Sequence, residues 1–201
     1  MTEKTADTMA PIDPLIASRW SPRAFDTQKA VDDETVLSLL EAARWAPSCF
    51  GDEPWRFVVC NRATDETAWQ TMLDCLAEKN QLWAAHAPLL VLVASVPTFS
   101  HNGKPNRWSQ YDTGAASENL CLQATSLGLG AHQMGGFDVD KTRNAFRIPA
   151  EVELMAVIAV GYPGKLEELV EEFRTMEQAG RIRKPLGEEC FRGEWGKPLC
   201  G

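Results

Sequence analysis

Apolar positions along this chain recur with two periods. The stretch from Asp32 to Ala46 carries Val36, Leu39, Leu40 and Ala43 on one helical face after an Asp cap and an acidic first turn, and Pro47 ends it. Trp55–Cys60 is a β-branched and aromatic run of strand length. A second helix is predicted over Glu66–Lys79, with Trp69, Met72, Leu73 and Leu76 on its buried face. Leu89–Ser95 is apolar without alternation, the pattern of a central strand covered on both sides. Asp112–Leu127 reads as a helix with the small residues Ala115, Ala116 and Ala124 along one face. Gly128-Leu129-Gly130 stops it, and Gly135-Gly136 makes a turn. Asp138 caps a short helix reaching Phe146, and Leu154–Val160 is another buried strand, ended by Gly161-Tyr162-Pro163-Gly164. Beyond Glu177 the chain turns basic and loop-like. Helices interleaved with strands in this order give an α/β sandwich with helices on both sheet faces.

At 201 residues with 44% hydrophobic content the chain can bury one substantial core. Residues 1–12 read as a polar tail and 13–201 as a single domain. The formal net charge of −8 argues against nucleic acid or an anionic membrane as the main partner, so an anionic ligand would need a local cluster of Arg or Lys. Ala87–Val96, the longest apolar run, contains Pro88 and is roughly half the length of a membrane-spanning helix. The N-terminus lacks the basic start and apolar stretch of a secretory signal, and the chain is read as cytoplasmic. Cys49, Cys60, Cys75, Cys121, Cys190 and Cys200 form no C-x-x-C pair, and no His stands at metal-ligand spacing. They are read as reduced thiols, and no metal site is assigned.

Candidate chemistry begins at Arg19-Trp20-Ser21-Pro22-Arg23. In an extended stretch, which Pro22 favours for Ser21, side chains two apart point the same way, so Arg19, Ser21 and Arg23 converge. Guanidinium forks match phosphate oxygens, which makes the segment either an anion clasp or an exposed basic turn. Arg181-Ile182-Arg183-Lys184 repeats the alternation far along the chain. If the fold joins the two clusters the clasp gains; if they lie apart each is a solvated patch. The loop from Ala46 to Phe57 collects polar groups, turn residues and aromatics between a helix and a strand, and serves as either a binding loop or a plain turn with Trp55 and Phe57 in the core. His132–Phe137 exposes backbone that can approach a flat ligand, or is only a tight turn. Gly128, Gly130, Gly135 and Gly136 lack the G-x-G-x-x-G spacing of a dinucleotide fingerprint, and no P-loop or G-x-S-x-G elbow is present. His86, His101 and His132 stand alone and read as structural or surface histidines.

Taken in order, the segments R-W-S-P-R-A-F-D, E-A-A-R-W-A-P-S, E-P-W-R-F-V-V, Y-D-T-G-A-A-S-E-N-L-C-L-Q-A, G-L-G-A-H-Q-M-G-G-F-D, A-V-I-A-V-G-Y-P and R-K-P-L resemble the nitroreductase family from about Ile16 to Pro198. The resemblance implies a three-layer α+β fold with a mixed, mainly antiparallel sheet. It also implies an intertwined homodimer, with FMN at the interface and the helix from Asp112 at the dimer centre. NADH or NADPH would be the cosubstrate, and nitroaromatic, quinone or similar small-molecule electron acceptors would be reduced by a ping-pong cycle. By position, Arg19, Trp20, Ser21 and Arg23 are similar to the family's N-terminal flavin contacts, with Arg19 at the phosphate and Arg23 near the N1/O2 edge of the ring. Arg181 and Arg183 match the C-terminal phosphate contacts. Met134, Gly135 and Gly136 match the backbone over the flavin, and Pro47 and Ser48 the ring-side loop supplied by the partner subunit. In that loop the family commonly has Asn where Gly51 stands and Gln where Glu53 stands. The change removes a hydrogen bond at the pyrimidine end of the flavin and adds an anion near it. No side-chain acid, base or nucleophile is needed, because hydride passes directly to and from flavin N5. A specialised flavin reductase or dehydrogenase for one metabolite, and a non-catalytic flavin-binding or storage protein, are the alternatives on the same fold. Pro97–Ser109 is read as a mobile loop near the site, with Phe99, Trp108 and Tyr111 placed to cover the flavin face.

Overall fold

The computed structural model describes residues 4–200. Its elements in chain order are α1 (Pro14–Ser18), α2 (Asp33–Arg44), β1 (Trp55–Asn61), α3 (Glu66–Cys75), α4 (Glu78–Ala84), β2 (Leu89–Ser95), α5 (Ser109–Ser126), β3 (Gly130–Met134), α6 (Val139–Ala145), β4 (Glu153–Gly161), α7 (Glu171–Gln178) and α8 (Leu186–Glu189). The four strands form one antiparallel sheet in the order β1-β2-β4-β3, flanked by helices.

Strand β2 shows why the sheet must be covered twice. All seven of its residues are buried. Leu89, Val91 and Val93 join one core cluster with Val36, Leu39 and Ala43 of α2, Ala116, Leu120 and Ala124 of α5, and Ile158 and Val160 of β4. Leu90 and Leu92 point the other way, among Trp69 and Met72 of α3, Trp83 of α4, Phe173 of α7 and Phe25. Each fully buried side chain of this kind contributes roughly 1.5–3 kcal/mol relative to exposure, so the sheet is held from both faces.

Helix starts follow local chemistry. Asp32 accepts the Thr35 N–H at 2.7 Å, Asp65 that of Ala68 at 2.9 Å and Asp138 that of Lys141 at 2.9 Å, satisfying N–H groups the helices leave orphaned. Helix α5 lays its small residues against α2 and the sheet, where Asn119 donates to the Ala42 carbonyl and Gln123 to the Ser38 hydroxyl.

The short helices α1, α7 and α8 fall in stretches the sequence pattern left unassigned or read as loop, and two further elements depart from it. The helix predicted over Glu66–Lys79 breaks after Cys75. Leu76 turns extended, is buried, and pairs with Phe137, while the Ala77 N–H donates to the Gly136 carbonyl at 2.9 Å; a separate helix then starts at Glu78. The segment between the glycines at 128–130 and 135–136 is strand β3, paired with β4 from Gly130↔Gly161 to Met134↔Val157. Among the described residues, no helix is long and apolar enough to cross a membrane.

Candidate functional site

The first basic segment is fixed by three anchors. The Asp26 N–H donates to the Tyr162 carbonyl at 2.8 Å and the Gly164 N–H to the Ala24 carbonyl at 2.9 Å, so the segment runs as an extra bridge off the end of β4. Gly164 lies directly against the Phe25 backbone, and a Cβ there would overlap it. Glu177 of α7, only 4% exposed, accepts the Arg23 N–H with both carboxylate oxygens, at 3.0 and 3.1 Å, and the Ala24 N–H at 3.1 Å. His132 of β3 lies against the Pro22 carbonyl, with its Nδ1 at 3.0 Å. Because the carbonyl can only accept, Nδ1 carries the proton.

Between these anchors the backbone is extended and its side chains alternate. Arg19, Ser21 and Arg23 line one cavity, of about 260 Å³. Pro22 and Ala24 face a larger groove, of about 630 Å³, built with Gly128–Gly130 and Pro163–Glu167; Lys4 and Trp20 border both. Arg181 and Arg183 complete the smaller cavity together with Lys4, so the two basic clusters meet, although about 160 residues of chain separate them. Among the described residues no carboxylate lines it: Glu177 faces the other groove, and Glu118 of α5 pairs with Arg19 at 3.1 Å. The Arg181 guanidinium donates to the Lys4 carbonyl at 2.7 Å and the Ala17 carbonyl at 2.6 Å. Burial, with Arg19 and Arg183 beside it, holds its pKa below the usual arginine value. The Arg23 guanidinium lies 5.8 Å from the Trp83 ring centre and 6.0 Å from that of Phe173, a cation over aromatic faces.

Pro47, Ser48, Gly51 and Glu53 lie outside this cavity, in the loop between α2 and β1. Phe50, Gly51 and Glu53 all take left-handed backbone, with φ of 58°, 64° and 50°. Such conformations cost about 1–2 kcal/mol at a non-glycine residue, and they recur at ligand-handling loops. The loop is held by the Ser48 hydroxyl, which accepts the Glu53 N–H, and by Asp112 of α5, which accepts that of Cys49. Asp52 ties it to the Pro97–Ser109 segment, accepting the Ser100 N–H at 2.8 Å and hydroxyl at 2.6 Å. Phe50, 81% exposed, packs edge-on against Phe99 and His101. Phe99 is buried within its own loop, whereas Trp108 and Tyr111 are exposed. Met134, Gly135 and Gly136 end β3: Met134 is buried, Gly135 and Gly136 are open to solvent, and the Gly136 carbonyl accepts the Ala77 and Asn80 donors.

Sequence reasoning missed Lys4 and Glu177. Each is a single charged residue in a polar stretch, and only a tertiary partner more than 150 positions away gives it a role. The histidines and thiols stay outside the site. His132 stacks on Trp83 with ring centres 4.5 Å apart, and burial holds it neutral, lowering its pKa to about 4. Cys60 and Cys121 are pushed up to about 12, chiefly by burial, and are inert thiols.

This architecture has known counterparts. A solved oxidoreductase containing FMN is 36% identical, with a TM-score of 0.89 over 98% of this chain and 100% of its own. An uncharacterized 15.4 kDa protein of Mycolicibacterium smegmatis is 35% identical over 72% of this chain and 99% of its own length. An Archaeoglobus fulgidus protein provisionally named an NADH dehydrogenase/NAD(P)H nitroreductase is 28% identical over 74% and 83%. The model of the nitroreductase family matches residues 16–162, and with that span added to the sheet topology and the shared architecture, the chain belongs to the nitroreductase family.

Proposed function

We propose that this chain is an FMN-dependent oxidoreductase that takes hydride from NADH or NADPH. It passes the hydride to an electron-poor small molecule, of the nitroaromatic or quinone class, in a ping-pong cycle. The observation that carries the reading is the convergence of Lys4, Arg19, Arg23, Arg181 and Arg183 on one cavity that no carboxylate among the described residues lines, in a chain of net charge −8. That donor set fits a phosphate monoester: guanidinium forks bind its oxygens in pairs, and a closely spaced cation cluster gains most when a dianion fills it. The FMN content of the solved relative supports the same assignment.

When bound, FMN supplies the hydride-accepting and hydride-donating centre. The chain binds, orients and charges it. Arg19, Arg181 and Arg183, with Ser21 and Trp20 between them, would hold its phosphate, and Arg23 would provide a fixed positive charge to stabilise a reduced, anionic ring. The Glu177 clamp on the Arg23 and Ala24 backbone keeps that charge from swinging toward solvent. The open backbone at Gly135 and Gly136, just past the buried Met134, offers an unshielded main chain for a flat ring. The loop of Pro47, Ser48, Gly51 and Glu53 serves the site of a second copy in a homodimer, and the enzyme works in the cytoplasm. Glu53 and the Phe50–Phe99–His101 contact give that loop an acidic and aromatic face. This face favours, as a second reading, a reductase specialised for one metabolite.

The test is the visible spectrum of the desalted protein, followed by anaerobic NADH and then NADPH. Flavin bands bleached by one nicotinamide support the proposal. A colourless protein that FMN cannot reconstitute overturns it, and a bound flavin that neither nicotinamide bleaches points to a storage protein.

A further inference from the structure

The cavity holds one cation that belongs to neither arginine cluster. The Lys4 ammonium sits 4.5 Å from the centre of the Trp20 ring and donates to the Met176 carbonyl at 3.5 Å. An ammonium has three donors, and among the described residues this one long bond is its only hydrogen bond, in a cavity that it lines. Its backbone is fastened: the Lys4 carbonyl accepts from Arg181 at 2.7 Å, and the Ala6 N–H donates to the Ala17 carbonyl at 2.9 Å. One Arg181 nitrogen therefore bridges residues 4 and 17, tying the start of the chain to the rim of the pocket.

We propose that the segment Lys4–Ala6 is a latch over the anion cavity and that Lys4 is a phosphate-binding residue. The inference rests on the phosphate reading of the cavity. Burial lowers the Lys4 pKa, Glu177 raises it, and Arg23 and Arg181 lower it again, so the ammonium stands among like charges that an anion would relieve. A phosphate entering between Lys4 and the arginines gains a fifth cationic donor. The latch also covers it, because the same backbone that carries Lys4 is held by a second phosphate-facing side chain, Arg181.

The test measures three ligands on flavin-free protein: FMN and riboflavin by fluorescence quenching, and inorganic phosphate by calorimetry. Wild type, Lys4→Ala and Lys4→Arg are compared at low and moderate salt. Lys4→Ala should weaken both FMN and phosphate by about fivefold to tenfold at low salt, the size of one partly screened charge-assisted contact, with a smaller difference at moderate salt. Lys4→Arg should stay within about twofold of wild type, and riboflavin, which lacks the phosphate, should bind all three proteins alike. Unchanged FMN and phosphate binding in Lys4→Ala overturns the latch, as does an equal loss for riboflavin, which would make Lys4 merely structural. If wild type binds phosphate but not FMN, the cofactor reading falls while the phosphate series still decides the latch. If wild type binds neither, both fall.

Discussion

His132 shows how one side chain couples packing to pH. Half-buried against Trp83 and bonded to the Pro22 carbonyl, it takes up a proton only at about pH 4, whereas the unfolded imidazole does so near 6.5. The folded pKa is the lower one, so this contribution to stability is complete above pH 6.5 and is lost as pH falls toward 4. The loss amounts to about 3 kcal/mol at most. Urea unfolding at pH 7.5 and pH 5 should show the decline in wild type and a flatter profile in His132→Asn. Glu177 makes a second prediction. Glu177→Ala strands the buried N–H of Ala24 and that of Arg23, and should cost about 2–3 kcal/mol. Glu177→Gln, which keeps one accepting oxygen, should cost less than half as much in the same urea assay. At Arg23 the effect should be on the cofactor: Arg23→Ala should weaken FMN binding and lower the flavin potential in a spectroelectrochemical titration, and an unchanged potential would remove Arg23 from its proposed role.

Whole elements were legible where local chemistry alone decides them. Helix α2 has its Asp32 cap, acidic first turn and apolar stripe in consecutive residues, and β2 reads as buried because both of its faces are apolar. Strand β3 was not legible: five residues beginning with Gly and containing His and Gln gain strand character only from pairing with β4. The break after Cys75 was equally hidden, because no Gly or Pro marks Leu76, and what ends the helix is the bridge to Phe137. Helix α6 carries a testable irregularity. The Ile148 N–H donates to the Arg143 carbonyl and the Arg147 N–H to that of Asn144, a Schellman ending that places the exposed Arg147 at φ 53°. Glycine accepts that conformation freely, so Arg147→Gly should raise stability by about 0.5–1 kcal/mol, read as a higher urea midpoint with an unchanged slope.

At the scale of the molecule, the site was legible in its charges and hidden in its assembly. The alternation of Arg19, Ser21 and Arg23 and of Arg181 and Arg183 could be read directly, but only the fold brings the two sets to one cavity, with Lys4 added and Glu177 behind. The loop bearing Gly51 and Glu53 lies away from that cavity, so the proposed role for it depends on the proposed homodimer. Sedimentation of the FMN-loaded protein should give a dimer, and a loaded monomer that still bleaches with a nicotinamide would detach that loop from the reaction.

Arg181 reaches back to Lys4 and Ala17, and Glu177 to Arg23, so the cavity is where segments more than 150 positions apart are fastened together. An anion bound there, as proposed, would brace the existing Arg181–Lys4 fastening as an added cross-link, reversibly and in proportion to ligand concentration. On that proposal, occupancy would set the lifetime of the fold: the empty molecule would open this fastening first, and the filled one would have to release its anion before doing so.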